Sequence, residues 1–186
     1  MQHWDTYSTF ERIIKKYDYF NYGSDSEPMW RLSMESLEGG ASGLVRQSIY
    51  RYTNDGRANL EEKELVNNGG ANPIHKYQYD EYGNVRSETV ARGNTTETTY
   101  DASTHTYPHT ITYPQTSGVN HIEVYETYDY NVGKPTVFKD RNNQYTHYKY
   151  DVFGRLERTE LPDNGQTVYV YDDHNFPRAV TKRVKE

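Results

Sequence analysis

The dipeptide Tyr-Asp recurs along this chain at a nearly constant interval. Successive copies are 21, 28, 22 and 21 residues apart, and they begin at Tyr79, Tyr100, Tyr128, Tyr150 and Tyr171. A period of this length is typical of repeat proteins, in which one small supersecondary unit is stacked many times. The interval therefore predicts a repeat architecture.

A second tyrosine stands two positions upstream of most copies, at Tyr77, Tyr148 and Tyr169. Two tyrosines at this spacing lie on one face of a β-strand, because side chains alternate across a strand. The 20 tyrosines among 186 residues favour strands and argue against disorder, since disordered chains have few aromatic residues. Aromatic neighbours across strands contribute roughly 0.2–1 kcal/mol per pair, so we expect the paired rings to pack together.

The clearest unit begins at Tyr145. Its sequence predicts a strand over residues 145–150, a turn over residues 151–154 and a returning strand over residues 155–160. Aspartate bonds its own backbone two residues further on and glycine accepts a positive φ, which are the properties that a tight turn needs. A second reversal at residues 162–165 makes each unit one β-hairpin with a short connection.

Two other units repeat this organisation closely. The Tyr79 copy has its turn at residues 80–84, and the Tyr128 copy has its turn at residues 130–133. Pro135 follows the second of these turns, and proline cannot donate to a strand ladder, so an edge or irregular strand is predicted there.

Three copies depart further from the pattern. The Tyr100 copy lacks the turn glycine and carries two prolines within residues 104–114, so we expect a loop or a broken strand there. A degenerate copy covers residues 49–57. The last copy has its turn at residues 172–175, where asparagine replaces glycine, and a closing strand is predicted over residues 176–184.

Residues 1–43 carry no clear copy and are predicted to form a lead-in segment, whereas residues 44–186 form the repeat array. A helix is one interpretation of the lead-in segment, because aromatic and apolar side chains fall at helical spacing at Tyr7, Phe10, Ile13, Ile14 and Tyr17. The β-branched and aromatic run over residues 13–22, together with a later alternation, instead predicts two strands. The alternating residues are Trp30, Leu32 and Met34. We favour the strands.

The residues that define the repeat are assigned structural roles. They are Tyr77, Tyr79, Asp80, Gly83, Tyr100, Asp101, Tyr128, Asp129, Gly133, Tyr148, Tyr150, Asp151, Gly154, Arg155, Tyr169, Tyr171 and Asp172. The aspartates lack the dense spacing of a calcium loop, so capping of turns is the favoured role.

His105 and His109 are separated by Pro108 and cannot share a helical face as zinc ligands. No nucleophile elbow, Walker loop or zinc-protease motif is present, so we expect no catalytic residue, no metal site and no cofactor.

The composition argues against several classes of function. The formal net charge is −6 and there is no run of basic residues, so a footprint for nucleic acid or an anionic membrane is absent. No apolar stretch approaches the roughly 18 residues that suggest a membrane-spanning helix, and the first residues show no apolar core of a signal peptide. The absence of cysteine rules out disulfides and thiol chemistry.

The pattern Tyr-Asp-x-x-Gly-Arg/Asn, followed by a threonine-containing strand, resembles the YD repeat of the Rhs family. Residues 79–84 and 150–155 match it closely, and Thr159 and Gly165 fit its later positions. The resemblance covers roughly residues 49–181. This part of the sequence is similar to the repeat region of bacterial Rhs proteins and of the B and C components of insecticidal toxin complexes.

This resemblance implies that the chain is a fragment of a much longer bacterial protein, secreted or exposed at the cell surface. Repeats of this family build a spiral β-sheet that closes into a hollow shell, and in bacterial members the shell encloses a variable C-terminal toxin. The expected partners are therefore the remainder of the same polypeptide and the enclosed toxin domain. The C-terminal core motif that cuts the toxin free is not visible, so no catalytic residue is carried over.

The sequence as a whole predicts an all-β array of about nine to twelve antiparallel strands, built as hairpins in one twisted, curved sheet. The expected function is structural, as a segment of a shell wall around a polypeptide cargo. The alternative is a cell-surface module that binds carbohydrate through exposed tyrosines, which requires the tyrosine pairs to lie open rather than packed. Unpaired sheet edges also favour self-association.

Overall fold

Strands connected by short turns account for nearly all of the regular structure. The computed structural model describes residues 13–39, 43–67, 69–175 and 179–185. The chain divides into two units, Met1–Asn94 and Thr95–Glu186. The described residues contain no helix with the length and apolar character needed to cross a membrane.

The first unit is an antiparallel meander. Each strand pairs with the next one along the chain, so every connection is a hairpin. Its described residues form β1 (Ile13–Asn21), β2 (Trp30–Gly39), β3 (Gly43–Tyr52), β4 (Leu60–Val66), β5 (Ile74–Tyr79) and β6 (Val85–Thr89).

The second unit has the same topology. Consecutive strands again pair antiparallel throughout its described residues. They are β7 (Thr95–Tyr100), β8 (Pro108–Thr116), β9 (Val119–Asp129), β10 (Lys134–Lys139), β11 (Tyr145–Tyr150), β12 (Leu156–Glu160), β13 (Gln166–Asp172) and β14 (Ala179–Lys185). The predicted all-β array of antiparallel hairpins is confirmed.

The expected loop or broken strand in residues 104–114 was correct for residues 104–107, which lie in the turn after β7, and wrong for the rest. The described residues also contain 14 strands rather than about nine to twelve. Residues 108–116 form the regular strand β8, because its two prolines fall where no ladder donor is required. Pro108 is the first residue of the strand. Pro114 lies within a register shift between Tyr113 and Thr116, where the pairing with β9 is already interrupted.

The lead-in segment contains a hairpin rather than a helix over its described residues. Residues 13–21 and 30–39 are the strands β1 and β2, as the alternation of side chains predicted. Tyr7 and Phe10, which contributed to the helical spacing, lie outside the described residues, as do residues 176–178 of the predicted closing strand.

A β-bulge recurs at a tyrosine in several of the described hairpins, although the hairpin of β13 and β14 has none at Tyr171. Opposite Tyr52 the pairing of β3 with β4 skips Glu61, and opposite Tyr150 the pairing of β11 with β12 skips Glu157. A bulge places one extra residue on one strand and strengthens the local twist. Register shifts of this kind occur in six described hairpins, at Tyr19, Tyr52, Tyr79, Tyr100, Tyr128 and Tyr150.

Burial in this fold is mainly polar. Among the described residues Ala58, which is 4% exposed, is the only buried apolar side chain. Ser36, Ser48 and Asp101 are also buried. A sheet without a thick apolar core depends on its backbone ladders and side-chain hydrogen bonds, so the arrangement of those bonds is the part of the structure that bears on function.

Candidate functional site: the tyrosine–aspartate turns

Five tyrosines at or next to the end of an outgoing strand donate their hydroxyl hydrogen to a backbone carbonyl of the preceding hairpin. We call these contacts the tyrosine–carbonyl bonds. They join Tyr52 to Leu32 at 2.9 Å, Tyr79 to Leu60 at 2.8 Å, Tyr150 to Pro135 at 3.0 Å, Tyr171 to Leu156 at 2.8 Å, and Tyr128 to Pro108. Each bond therefore links one hairpin to the one before it.

These bonds lie where the backbone ladder between two hairpins has ended. The last registered pair between β4 and β5 is Glu62 with Lys76, and the acceptor Leu60 lies two residues beyond it. Between β12 and β13 the last pair on this side is Arg158 with Val168, and the acceptor is again two residues further on. The tyrosine hydroxyl thus provides a hydrogen bond to a carbonyl that the backbone of the neighbouring strand no longer reaches. The carbonyl is not left unsatisfied where the two strands diverge, and the two hairpins stay connected there.

The acceptor carbonyl has a fixed place in the repeat. Leu60 pairs across its own hairpin with Tyr52, and it accepts from the next repeat tyrosine, Tyr79. Leu156 likewise pairs with Tyr150 and accepts from Tyr171. The tyrosine and its opposite residue therefore form one structural unit that is repeated from hairpin to hairpin within each part of the chain.

The aspartates that follow the tyrosines cap the hairpin turns. Asp80 Oδ1 accepts from the amides of Tyr82 at 2.9 Å and Asn84 at 2.8 Å. The Gly83 amide donates to the carbonyl of Asp80, and the Asp80 amide donates to the carbonyl of Asn84. This pattern is a type I turn followed by a residue of positive φ, the usual form of a three-residue hairpin loop. Asp151 makes the same bonds to Phe153 and Arg155.

The turn at Asp140 lies at the opposite end of a hairpin and has the same form, and the sequence analysis missed it. Asp140 Oδ1 accepts from the amides of Asn142 and Gln144, and Asn143 takes the positive φ of 61°. The sequence signal that could have predicted this turn is Asp140 followed by Asn143 three positions later and then by a strand. No tyrosine precedes Asp140, so the search for Tyr-Asp did not find it.

Arg155 connects two successive turns. Its Nε lies 2.7 Å from Asp151 Oδ2, and its two Nη atoms lie 2.9 and 2.7 Å from the two carboxylate oxygens of Asp173. The guanidinium carbon is also 4.1 Å from the centre of the Tyr171 ring. The hydrogen bonds that the guanidinium donates to the carboxylates of Asp173 and Asp151 raise the pKa of Arg155 above its usual range. A planar guanidinium suits this combination of bidentate pairing and stacking, which lysine cannot reproduce.

Asp101 caps a turn that is longer than the turns at Asp80 and Asp151. Its carboxylate is 6% exposed and accepts from the amides of Thr104, Thr106 and Tyr107 at 2.8, 3.2 and 3.0 Å. The hydroxyl groups of Ser103 and Thr104 each donate to it at 2.9 Å. Burial by itself would raise the pKa of Asp101, but these donors outweigh burial and hold the pKa well below its usual range.

A group of tyrosine rings surrounds this turn. The rings of Tyr107 and Tyr128 are stacked with centres 5.0 Å apart, and Tyr125 and Tyr130 stack on Tyr128 at 6.3 and 6.2 Å. Burial raises the pKa of Tyr128 to about 12, with further contributions from the negative charge of Asp101 and from the other tyrosines. The Tyr128 hydroxyl is held in its neutral, hydrogen-donating form.

The raised pKa of Tyr128 predicts a loss of stability in alkali. Because its folded pKa of about 12 lies above the ordinary tyrosine value, its contribution is complete below pH about 10 and is lost as the pH rises towards 12. We expect the urea midpoint to fall over this interval in the wild-type chain and to fall less in Tyr128→Phe. Equal slopes in the two chains would contradict the assignment.

Substitutions of the turn glycines are expected to lower the free energy of unfolding by different amounts at different positions. Gly83 has a φ of 92° and an added Cβ would meet nothing within 4 Å, so Gly83→Ala should cost only the conformational term of about 1 kcal/mol. At Gly154 an added Cβ would lie 3.2 Å from Val132 Cγ1, so Gly154→Ala should cost more. Gly83→Asn is expected to cost less than Gly83→Ala, because Asn143 and Asn164 occupy the same position in other turns. Urea denaturation of the three variants measures this order, and a larger loss at Gly83→Ala than at Gly154→Ala would contradict it.

The remaining repeat-defining residues lie on the same strands and turns. The upstream residues Tyr77, Tyr148 and Tyr169 are half-buried in β5, β11 and β13, two positions before a bonded tyrosine. Tyr100 is the last residue of β7 and pairs with Pro108. Asp129 Oδ1 accepts from the Asn131 amide, Gly133 has a φ of 67°, and Asp172 accepts from the amides of His174 and Asn175.

No group of three or more histidine, aspartate and glutamate side chains suited to a metal ion occurs within the described ranges. His109 Nδ1 lies 3.0 Å from Thr110 Oγ1.

Solved structures share this fold over most of the chain. A chain in the crystal structure of TcdB2–TccC3–Cdc42 matches with a TM-score of 0.58 at 15% identity, covering 91% of this chain and 11% of that one. A chain in the structure of the Photorhabdus luminescens Tc holotoxin pore matches with a TM-score of 0.53 at 15% identity, covering 92% of this chain and 10% of that one. This protein therefore has the fold of a segment of toxin-complex chains, and it spans about a tenth of their length. No family model matches the sequence, and no curated protein matches it.

Proposed function

We propose that this chain is a wall segment of a longer Rhs-like or toxin-complex-like protein whose shell encloses a C-terminal toxin polypeptide. The tyrosine–carbonyl bonds carry the proposal, because these five bonds join hairpins to the preceding ones at the point where the backbone ladder ends. Their role in such a wall is to keep neighbouring hairpins closed against proteases and to confine the guest. The fold shared with much longer toxin-complex chains supports this assignment.

The proposed role is mechanical and not enzymatic. The turn aspartates bond their own backbone, and Arg155 pairs with Asp151 and Asp173, so these groups maintain the shape of the turns. The full-length protein would be secreted or presented at a bacterial cell surface, and its acidic charge would limit adhesion to anionic surfaces. The partners of the segment are the rest of its polypeptide and the enclosed cargo.

Protease protection in the full-length polypeptide tests this function. We expect the region C-terminal to the repeats to resist trypsin in the native protein and to become sensitive when Tyr150→Phe and Tyr171→Phe are combined. The matched control combines Tyr148→Phe and Tyr169→Phe, which leaves the tyrosine–carbonyl bonds intact. A C-terminal region that is cut at the same rate in the native protein and after denaturation would disprove enclosure.

Carbohydrate binding through the tyrosine pairs is the competing function. All six paired tyrosines are half-buried rather than exposed, which favours packing within the sheet; they are Tyr77, Tyr79, Tyr148, Tyr150, Tyr169 and Tyr171. Titration against a glycan array distinguishes the two functions. Micromolar binding that is lost in Tyr→Ala variants of these residues would favour the carbohydrate module.

A further inference from the structure

A recess in the second unit departs from the regular repeat. It has a volume of about 350 Å³ and lies between the Asp101 turn and the end of β9. The lining residues that matter here are Asp101, Ser103, Tyr125, Glu126, Tyr128 and Tyr130. This volume lies within the range of small-ligand sites.

Tyrosine side chains line part of the recess. The rings of Tyr125, Tyr128 and Tyr130 are stacked in sequence, with interplanar angles of 29° between neighbours. Tyr130 is 49% exposed, so its ring is accessible from solvent. The negative face of an aromatic ring attracts a cation, and the exposed Tyr130 ring offers such a face.

Acceptor oxygens also line the recess. Ser103 Oγ donates to the buried Asp101 carboxylate, and the Tyr130 hydroxyl lies 3.1 Å from Ser103 Oγ and 3.4 Å from Asp101 Oδ2. Because these hydroxyl hydrogens are directed towards Asp101, the hydroxyl oxygens keep lone pairs that can accept hydrogen bonds from a ligand. Glu126 adds an exposed carboxylate. The lining within the described residues contains no lysine or arginine, and its basic group is the His109 imidazole.

Elsewhere in this molecule the same combination of a tyrosine and a carboxylate holds a cation. Arg141 bonds Glu123 at 2.8 Å and lies 3.7 Å from the centre of the Tyr113 ring, and the Tyr113 hydroxyl bonds the same glutamate. Lys63 lies 5.3 Å from the Tyr50 ring centre, and the Tyr50 hydroxyl bonds Glu35. The arrangement of Arg155, Asp173 and Tyr171 is a third example.

We propose that the recess binds an organic cation, an ammonium or guanidinium group, in the position that arginine or lysine occupies in those three arrangements. The exposed ring of Tyr130 would contact the cation while Glu126 and the hydroxyl oxygens accept its hydrogen bonds. The source is either a lysine or arginine side chain of a polypeptide or a free polyamine. This inference does not depend on the wall function.

Chemical-shift titration of the full chain tests the site with three probes. N-acetyl-arginine amide represents a side chain, 1,4-diaminobutane represents a polyamine, and glucose is the neutral comparison. We expect saturable shifts confined to the residues of the recess with at least one cation and none with glucose. Tighter binding of the arginine probe identifies a polypeptide as the source, whereas tighter binding of diaminobutane identifies a free polyamine.

Variants separate binding from folding. Tyr130→Ala should weaken cation binding about fivefold or more, whereas Tyr130→Phe keeps the ring and most of the affinity. Glu126→Gln should weaken binding about threefold without a change in volume. Tyr82→Ala is the matched control, because Tyr82 is also an exposed tyrosine at a turn but lies outside the recess. Non-saturable shifts with both cations, saturation with glucose, or equal losses in Tyr130→Ala and Tyr82→Ala would overturn the proposal.

Discussion

Asp101→Ala is expected to lower the free energy of unfolding by about 2–4 kcal/mol. The substitution removes an acceptor that is used by three amides and by three side-chain hydroxyls, the longest of these bonds being that of Tyr130 at 3.4 Å, inside a turn where water has little access. Buried donors that lose their partner cost about 1–3 kcal/mol in ordinary cases, and more when the acceptor is charged. Urea denaturation of the variant and the wild type measures the difference.

Asp129→Ala is the matched control for this substitution. Asp129 occupies the same position after a repeat tyrosine, but its side chain accepts from the single amide of Asn131 at 3.0 Å. We expect a loss of about 1 kcal/mol or less. Equal losses for Asp101→Ala and Asp129→Ala would contradict the idea that the number of donors sets the effect.

Acid provides a second test of Asp101. Because its folded pKa lies below the ordinary aspartate value, the stability that it contributes is complete above pH about 4 and is lost as the pH falls through the folded pKa. The wild type should therefore lose stability more steeply below pH 4 than Asp101→Ala does. Parallel curves in acid would show that the carboxylate is not held in its charged form by the fold.

The hairpins and most of their turns could be predicted from sequence because both depend on local chemistry. Alternating side chains around Tyr150 indicate a strand, and Asp151 with Gly154 indicates a turn that closes within five residues. The strand β8 could not be predicted in this way. Its prolines are tolerated only because of where the pairing with its neighbours starts and shifts, and that register is a property of the whole sheet.

The partner of the repeat tyrosine could not be predicted either. Ring packing was expected, yet the recurrent contact is a hydroxyl that donates to a backbone carbonyl. Every residue has a backbone carbonyl, so the acceptor position does not require a particular side chain and cannot be recognised in the sequence. Both Leu156 and Pro135 act as acceptors. Ring stacking does occur around Tyr128, where the longer Asp101 turn brings in Tyr107. The available signal was a constant separation of 15 residues between donor and acceptor in the last two hairpins.

Replacing the repeat tyrosines of the second unit with phenylalanine should have a cumulative effect. Tyr128→Phe, Tyr150→Phe and Tyr171→Phe each remove a hydroxyl and keep the ring, so each should cost about 1 kcal/mol. The losses should add, because each variant removes a separate bond with its own acceptor carbonyl. The triple variant is therefore expected to lose about 3 kcal/mol in urea denaturation. A triple variant within about 0.5 kcal/mol of the wild type would show that water replaces the hydroxyls without cost.

The most direct measurement compares two double variants in this unit that have the same composition. One combines Tyr150→Phe with Tyr171→Phe, and the other combines Tyr148→Phe with Tyr169→Phe, whose hydroxyls make no hydrogen bond within the described residues. If tyrosine–carbonyl bonds hold successive hairpins together, the first pair loses about 2 kcal/mol and the second less than about 0.5 kcal/mol. Equal losses in the two double variants would contradict the account, because the contribution of these tyrosines would then come from their rings.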